Sequence, residues 1–416
     1  MSLHKTKLAF ASIICILIAF TVFAQDGVQN LAVVVNGLED SDRSIHPSLS
    51  IVDLDAPDTK DAVANEIIRI GNAPNDVQIQ GDLGYVVNTY SDNVQVIDLR
   101  RRVSLTEIAT GNNTLPEKIA FVDESRAYVT CNGTDEVKVV DLNQRRVIKT
   151  ISVGSRPWGV TVLNGKAYVA NSAAVTDWTT FQTHYGDSSV TVIDTLTDTV
   201  LQTIPMPINA TSILTDGESK VLVLSTGNYR DTLGTLVIIN ANRDEVEKRV
   251  KLGLTPGPTP VINSQKQVFI GSFGGMLVYE LMSGKFIHDR NNLLKEFGRG
   301  FGMAIDPDDN VYIAAPDWSG GGGDELRVMG PDYSLLKSYR VGKGASFVAI
   351  GQLRPSTVAL ADINNDGVVN IFDLVLVANH FGEEGDAVIG DLNSDGIVNI
   401  LDLVLVSNHF GAQIIP

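Results

Sequence analysis

The chain has 416 residues and a formal net charge of −17, with 32 basic against 49 acidic side chains, a balance that disfavours nucleic acid and anionic membrane surfaces as partners. Two cysteines cannot build a disulfide framework, and 44% hydrophobic residues suffice for substantial packed cores.

Lys5 and Lys7 precede an apolar run from Leu8 to Phe23 that closes on Val22-Phe-Ala24, with small residues where a signal peptidase reads. Residues 1–24 therefore read as a secretory signal peptide, and the chain as a secreted or cell-surface protein. The apolar stretch is short for an uncleaved membrane anchor, and Ser12-Ile-Ile before Cys15 is no lipobox. Cleavage leaves Cys131 alone, so no intrachain disulfide forms and a core thiol is expected.

Residues 28–352 repeat at intervals of about 40 to 54 residues: an apolar strand, a tight turn, a Tyr-Val-x-Asn strand, a loop, a Val-x-Val-Ile-Asp strand and a last strand. The second strand is followed through Val33-Val-Val-Asn36, Tyr85-Val-Val-Asn88, Tyr128-Val-Thr-Cys131 and Tyr168-Val-Ala-Asn171, then more weakly at Leu222, Phe269 and Tyr312. Seven copies of four short antiparallel strands, without a helical period between them, predict an all-β seven-bladed β-propeller. The first copy lacks its innermost strand, while Gly344-Ala-Ser-Phe-Val-Ala-Ile350 is a spare one with nothing after it; the last strand should complete the first blade and remove a free sheet edge. The motif resembles the YVTN family of propeller repeats, common in secreted and surface-layer proteins, a likeness that implies a fold more than an activity.

Turns between first and second strands are tight, as at Gln80-Gly-Asp-Leu83 and Asn164-Gly-Lys166. Loops between second and third strands swell at residues 37–47, 172–188, 226–233 and 316–324, all on the face that carries the blade-to-blade crossovers. They hold His46, Trp178, Phe181, His184, Tyr185, Tyr229, Arg230 and Trp318, with Trp158 at a neighbouring crossover, and these form the candidate ligand face. Exposed rings suit sugar faces or peptide side chains; they also pin long loops. No Gly-x-Ser-x-Gly elbow, His-Glu-x-x-His or Cys/His cluster occurs in the propeller, so no catalytic residue is assigned. Gly320-Gly-Gly-Gly-Asp324 lacks the Lys-Ser/Thr and helix of a phosphate loop.

Residues 353–361 read as a linker. Beyond it, Asp362-Ile-Asn-Asn-Asp-Gly-Val-Val-Asn-Ile-Phe-Asp373 is nearly repeated, 29 residues on, by Asp391-Leu-Asn-Ser-Asp-Gly-Ile-Val-Asn-Ile-Leu-Asp402. Each twelve-residue run places oxygen-bearing side chains at positions 1, 3, 5, 9 and 12, a glycine at 6 and a backbone carbonyl at 7, the pattern of a calcium loop. The ligand sets are Asp362, Asn364, Asp366, Val368, Asn370 and Asp373, and Asp391, Asn393, Asp395, Ile397, Asn399 and Asp402, for two calcium ions. An Asn/Asp-rich turn accounts for the glycine but not for five ligand positions repeated in register. Val369 and Val398, at position 8, should let the two loops pair, and each loop runs into a helix ended by Gly382 or Gly411. His380 and His409, repeated in those segments, are expected to pack the helices.

Residues 362–411 resemble the dockerin type I module, a small all-α EF-hand-like unit with Asp rather than Glu at position 12. The resemblance implies calcium-dependent docking onto a cohesin-type scaffold, although Ile371-Phe372 and Ile400-Leu401 stand where a Ser-Thr pair is familiar. Two readings follow. In one, a secreted non-catalytic protein binds a protein or glycan partner through its propeller and docks through its tail. In the other, an extracellular carbohydrate-active enzyme of O-glycosyl hydrolase, lyase or lactonase type, serving polysaccharide catabolism, is delivered to a complex by the dockerin. In a third arrangement the calcium pair only caps the propeller. No membrane span is expected after signal cleavage.

Overall fold

A computed structural model describes residues 28–38, 46–177, 179–297, 300–317, 323–353, 357–364, 366–385, 388–393 and 395–413. The signal segment 1–24, Trp178 and Trp318 lie outside the described residues. The chain divides into two compact units, one of them Gln29–Leu353 and the other containing Arg354–Pro416.

The first unit is a propeller of seven four-stranded antiparallel sheets. Its second blade shows the plan: Pro74–Gln80, Leu83–Asn88, Asn93–Asp98 and Val103–Ala109 lie side by side in chain order. The six innermost strands that precede their own blades are Pro74–Gln80, Pro116–Phe121, Pro157–Leu163, Ala210–Thr215, Val261–Ile262 and Gly302–Ile305. The seventh is the spare one: Ala345–Leu353 pairs antiparallel with Gln29–Asn36, from Gln29 opposite Leu353 to Asn36 opposite Ala345, and so completes the first blade. Middle strands are buried on both faces and read as apolar runs, whereas outermost strands such as Thr199–Pro205 keep only one buried residue.

The repeat residues now have physical roles. The Asn ending the second strand is buried and packs where a crossover chain comes close. A Cβ on Gly71 would lie 2.7 Å from Asn88, one on Gly154 2.6 Å from Asn171, and one on Gly342 2.4 Å from Asn36. In each case the polar residue within the third strand joins in: Asn171 Nδ2 donates to Thr191 Oγ1 at 2.9 Å, and Gly154 N donates to the same hydroxyl at 3.2 Å. Gln95 and Ser50 play the same part for Gly71 and Gly342. Thus Asn, Gly and the third-strand hydroxyl or amide lock crossover to blade. The Asp that ends the third strand caps the next turn, as Asp98 Oδ1 accepts from Arg101 N at 2.8 Å and Asp141 Oδ1 from Gln144 N at 2.7 Å. The Tyr of the second strand reaches the neighbouring blade: Tyr168 donates to Asp244 Oδ1 at 2.6 Å, and Tyr128 donates to Asp198. Burial beside these carboxylates pushes both phenols far above the ordinary value. Cys131 is buried and unpaired, its thiol pushed up to about 12 by desolvation, a core residue as expected.

Three features depart from expectation. The swollen loop 172–188 is a hairpin of its own, Ala174–Asp177 paired with Gln182–Tyr185, reversed at Phe181, which takes a left-handed φ of 55°. Residues Thr357–Ala361, within the stretch read as linker, form a helix whose Ala361 is fully buried in the second unit's own core. In that unit Val369 and Val398 do not pair with each other. Val369 exchanges hydrogen bonds with Gly411 and Ala412, beyond the second loop's helix, and Val398 with Gly382 and Glu383, beyond the first's. Each loop is thereby tied to the chain that leaves the opposite repeat, because the glycines, at φ of 87° and 84°, turn that chain back across it.

The second unit's loop helices are Ile371–Asn379 and Ile400–Asn408, each opened by a capping box between an Asn side chain and Asp373 or Asp402. They stop at the C-caps His380 and His409, both half-buried, two positions before the glycines. Its core is small, made of Ala361, Val369, Val377, Val398 and Val406 with a rim of half-buried aliphatics.

Candidate functional site

In the second unit, the expected ligand residues of each loop converge on themselves. Asp362 accepts from Asp366 N at 3.1 Å and Gly367 N at 2.9 Å, and Asp373 from Asn364 N at 3.2 Å and Asn370 N at 2.8 Å. Asn364 Nδ2 donates to Asp366 Oδ2 at 2.9 Å, and Asn370 Nδ2 to the Val368 carbonyl at 2.8 Å. The second loop repeats these contacts: Asp391 accepts from Asp395 N and Gly396 N, Asp402 from Asn393 N and Asn399 N, and Asn399 Nδ2 reaches the Ile397 carbonyl. Side-chain amides and backbone N–H groups hold the exposed Asp366 and Asp395 carboxyls below the ordinary carboxylate value. Positions 1, 3, 5, 7, 9 and 12 are thus joined by one hydrogen-bond network in each loop. Among the described residues, however, no three His, Cys, Asp or Glu side chains lie close enough to count by themselves as a metal cluster.

Helix faces next to these loops are apolar and uncovered within their own unit. Ile371 and Phe372 are 55% and 65% exposed, and their counterparts Ile400 and Leu401 are 60% and 54%. Val375, Val404, Phe381 and Phe410 extend both faces.

The propeller carries the other candidate surface. The structure brings Tyr185 together with Tyr229 and Arg230 across the loops of the fourth and fifth blades, close enough for both to act on the Tyr185 phenol, which partial burial raises above its ordinary value. Tyr229 and Arg230 are exposed on a loop folded around Asn228, whose Oδ1 accepts from three successive backbone N–H groups. His184 is exposed on the hairpin beside Tyr185, and Phe181 stands out at its tip. His46 is half-buried before the strand Ser48–Asp53 and joins no cluster with them.

Trp158 belongs elsewhere, at the channel. Where each innermost strand begins, five of the seven carry a β-bulge, within Pro74–Asp76, Pro116–Ile119, Pro157–Val160, Ala210–Ser212 and Ala345–Phe347. Bulges re-aim side chains. Asn75, Glu117, Trp158, Thr211 and Ser346 sit within these bulges, at the loop-face ends of their strands. Below the mouth lies a cavity of about 350 Å³ walled by residues from all seven innermost strands. A second, of about 410 Å³, opens above the seam of the first blade, between Phe301 and Phe347.

This end of the channel was not legible in sequence, because its five bulge residues come from five different sheets and are 40 or more positions apart. Its polar groups are wired tightly. Lys118 Nζ donates to the Asn75 carbonyl, lies 3.5 Å from Asp76 Oδ1, and sits 3.9 Å over the Phe347 ring. Asp76 Oδ2 accepts from Ile119 N at 3.1 Å. Glu117, 5% exposed, accepts at Oε2 from Asn75 Nδ2 at 2.8 Å. Desolvation raises its carboxyl to about 7, with Lys118 and the Asn75 bond opposing.

No family model matches the chain, and no curated relative matches it. Among solved structures it is similar to Kuenenia stuttgartiensis hydrazine synthase, with a TM-score of 0.54 and 18% identity, the match covering 68% of this chain and 96% of that one. Likeness at that identity bears on the fold alone, and the fold it supports is the β-propeller. No helix among the described residues is long and apolar enough to cross a membrane.

Proposed function

We propose that this chain is an exported, non-catalytic binding protein whose YVTN-like propeller holds a protein or glycan partner and whose dockerin-like tail docks it, with calcium, onto a cohesin-type scaffold or cell-surface assembly. The observation that carries this reading is the pair of loops in which one hydrogen-bond network joins positions 1, 3, 5, 7, 9 and 12 beside an exposed apolar helix face. A hard cation that takes six to eight oxygens suits such a mixed carboxylate, amide and carbonyl set, and its charge would offset the three carboxylates that each loop carries. Asp362, Asn364, Asp366, Val368, Asn370 and Asp373 would hold one ion, and Asp391, Asn393, Asp395, Ile397, Asn399 and Asp402 the other.

The enzyme alternative draws on one observation, the Glu117 carboxyl poised near neutrality beside a second carboxylate, Asp76. Against it, Glu117 is nearly closed off, Asp76 is spoken for by Lys118, and no arginine among the described residues lines either cavity. Tyr185, Tyr229 and Arg230 instead offer an open surface of the kind that grips a partner.

The test is capture by the immobilised chain from the exported proteins of its source. A cohesin-fold scaffold retained with calcium and released by EDTA, and no longer retained after Ile400→Asp with Leu401→Asp, is the expected result. Retention that ignores EDTA sinks the docking reading.

A further inference from the structure

We propose that the two ion sites of the second unit are completed crosswise: the chain leaving each repeat positions the loop of the other, so that the two loops fill together. Residues 411–413 position the first loop and residues 382–384 the second. The proposal rests on the calcium reading above and deepens it, because it gives a role to residues outside both twelve-residue runs.

The backbone carries the argument. At position 8 of the first loop, Val369 N donates to the Ala412 carbonyl at 2.9 Å, and the Val369 carbonyl accepts from Gly411 N at 2.7 Å. At position 8 of the second, Val398 N donates to the Glu383 carbonyl at 3.0 Å, and the Val398 carbonyl accepts from Gly382 N at 2.8 Å. Each tie is extended by one more antiparallel pair, Val368 with Gln413 and Ile397 with Glu384. Val368 and Ile397 stand at position 7, whose carbonyl is the backbone ligand of such a loop. The backbone beside each ligand carbonyl is therefore held by the opposite repeat. Both valine side chains are fully buried in the small core, which anchors the ties.

Each exit chain is also linked to its own loop. Asp402, at position 12 of the second loop, closes the capping box of Ile400–Asn408, and that helix ends at His409, two residues before Gly411. Asp402, once it holds an ion, fixes the start of a short helix whose far end delivers residues 411–413 to the first loop. Asp373 and Ile371–Asn379 serve the second loop in the same way. Coupling of this kind is reciprocal and amounts to about five- to 150-fold in affinity. Gly382 and Gly411 make the crossing possible: their φ values of 87° and 84° are left-handed, and a Cβ at either would meet nothing within 4 Å. Alanine at these positions strains the turn without disturbing any packing.

The experiment is a calcium titration of the full chain, with isotopically labelled glycine, followed by NMR. The amides of Gly367 and Gly396 report the loops separately, since each donates to the position-1 carboxylate of its own loop, Asp362 or Asp391, at 2.9 Å. Both signals should shift together in the unaltered chain. Asp391→Asn with Asp395→Asn, which weakens the second loop and keeps its shape, should also weaken the response of Gly367, by about five- to 150-fold. In that chain Gly411→Ala should weaken the Gly367 response by about a further five- to thirtyfold, the scale of left-handed strain at a residue with a Cβ. Gly382→Ala, which lies in the first repeat itself and carries the same strain, should spare it. A Gly367 response indifferent to the second loop overturns the coupling. Equal loss with both alanine variants, a larger loss with Gly382→Ala, or no loss with either overturns the crosswise assignment. These results leave the calcium reading standing, whereas a chain in which neither amide responds to calcium removes that reading and the proposal with it.

Discussion

The two units solve the problem of repetition in opposite ways. In the propeller, seven copies each bury middle strands on both faces, and neighbouring blades share continuous apolar clusters, such as that joining Tyr168, Val190 and Val192 to Val221, Val223 and Val237. In the second unit, two copies share five fully buried aliphatic side chains, while their best-organised contacts are polar and close upon carboxylates. Stability in the first comes from burial and ring closure; in the second, under the calcium reading proposed above, it would depend on a cation that neutralises the loops. Repeat number decides which: a ring of seven removes its own edges, whereas a pair has little to bury.

Breaking the ring tests the first half of that contrast and carries the largest expected effect. Truncation after Gly344 removes the strand Ala345–Leu353 and leaves Gln29–Asn36 as a bare apolar edge; insoluble or unfolded protein is expected. Truncation after Leu353 should leave the propeller's unfolding transition where it was, as read by calorimetry.

Removing calcium tests the second half. Under the proposed calcium reading, each ion at a concentration a hundredfold above its dissociation constant would add about 2.7 kcal/mol, so two would approach the stability of a whole small domain. Scanning calorimetry of the full chain should show a lower transition that falls with EDTA and an upper one that does not move; a single transition insensitive to EDTA would contradict the contrast.

The next effect is on pH. The Glu117 carboxyl is raised from 4.5 to about 7, so between those values the folded propeller holds a proton that the unfolded chain has released. Its contribution is complete below about 4.5 and is lost as pH rises through about 7, a change on the order of 3 kcal/mol. Glu117→Gln should flatten that slope of the upper transition, with the lower one unchanged.

Smaller still are the locks within blades. Asn171→Ala leaves the Gly154 crossover without its packing and hydroxyl bridge and should cost about 1–3 kcal/mol in urea unfolding. Tyr168→Phe should cost about 1 kcal/mol, because Lys166, 2.6 Å from Asp244, keeps that carboxylate paired.

How far the sequence reached follows the same division. Blade number, tight turns and the completing strand were legible because alternation and turn chemistry are local, and the spare segment around Phe347 matched the other innermost strands in pattern. The hairpin at 174–185 was hidden by the polarity of Thr176, Gln182 and Thr183, which pair on the surface with no apolar face to advertise a strand. The crossed tie of Val369 to Gly411 was invisible because it depends on how the two repeats fold over each other. Thr211 and Glu117 carry no motif at all; only the curvature that gathers the innermost strands and their five bulges brings them together.

The completing strand also fixes the order of assembly. Residue 36 leaves the ribosome 309 residues before residue 345, its partner, and at about 5–20 residues per second the first blade waits roughly 15 to 60 s with its inner edge unpaired. Every other blade can pair its strands within moments of their synthesis. The ring is thus held open by its oldest sheet until its last strand arrives, and a factor that shields one exposed edge for under a minute would protect the whole fold.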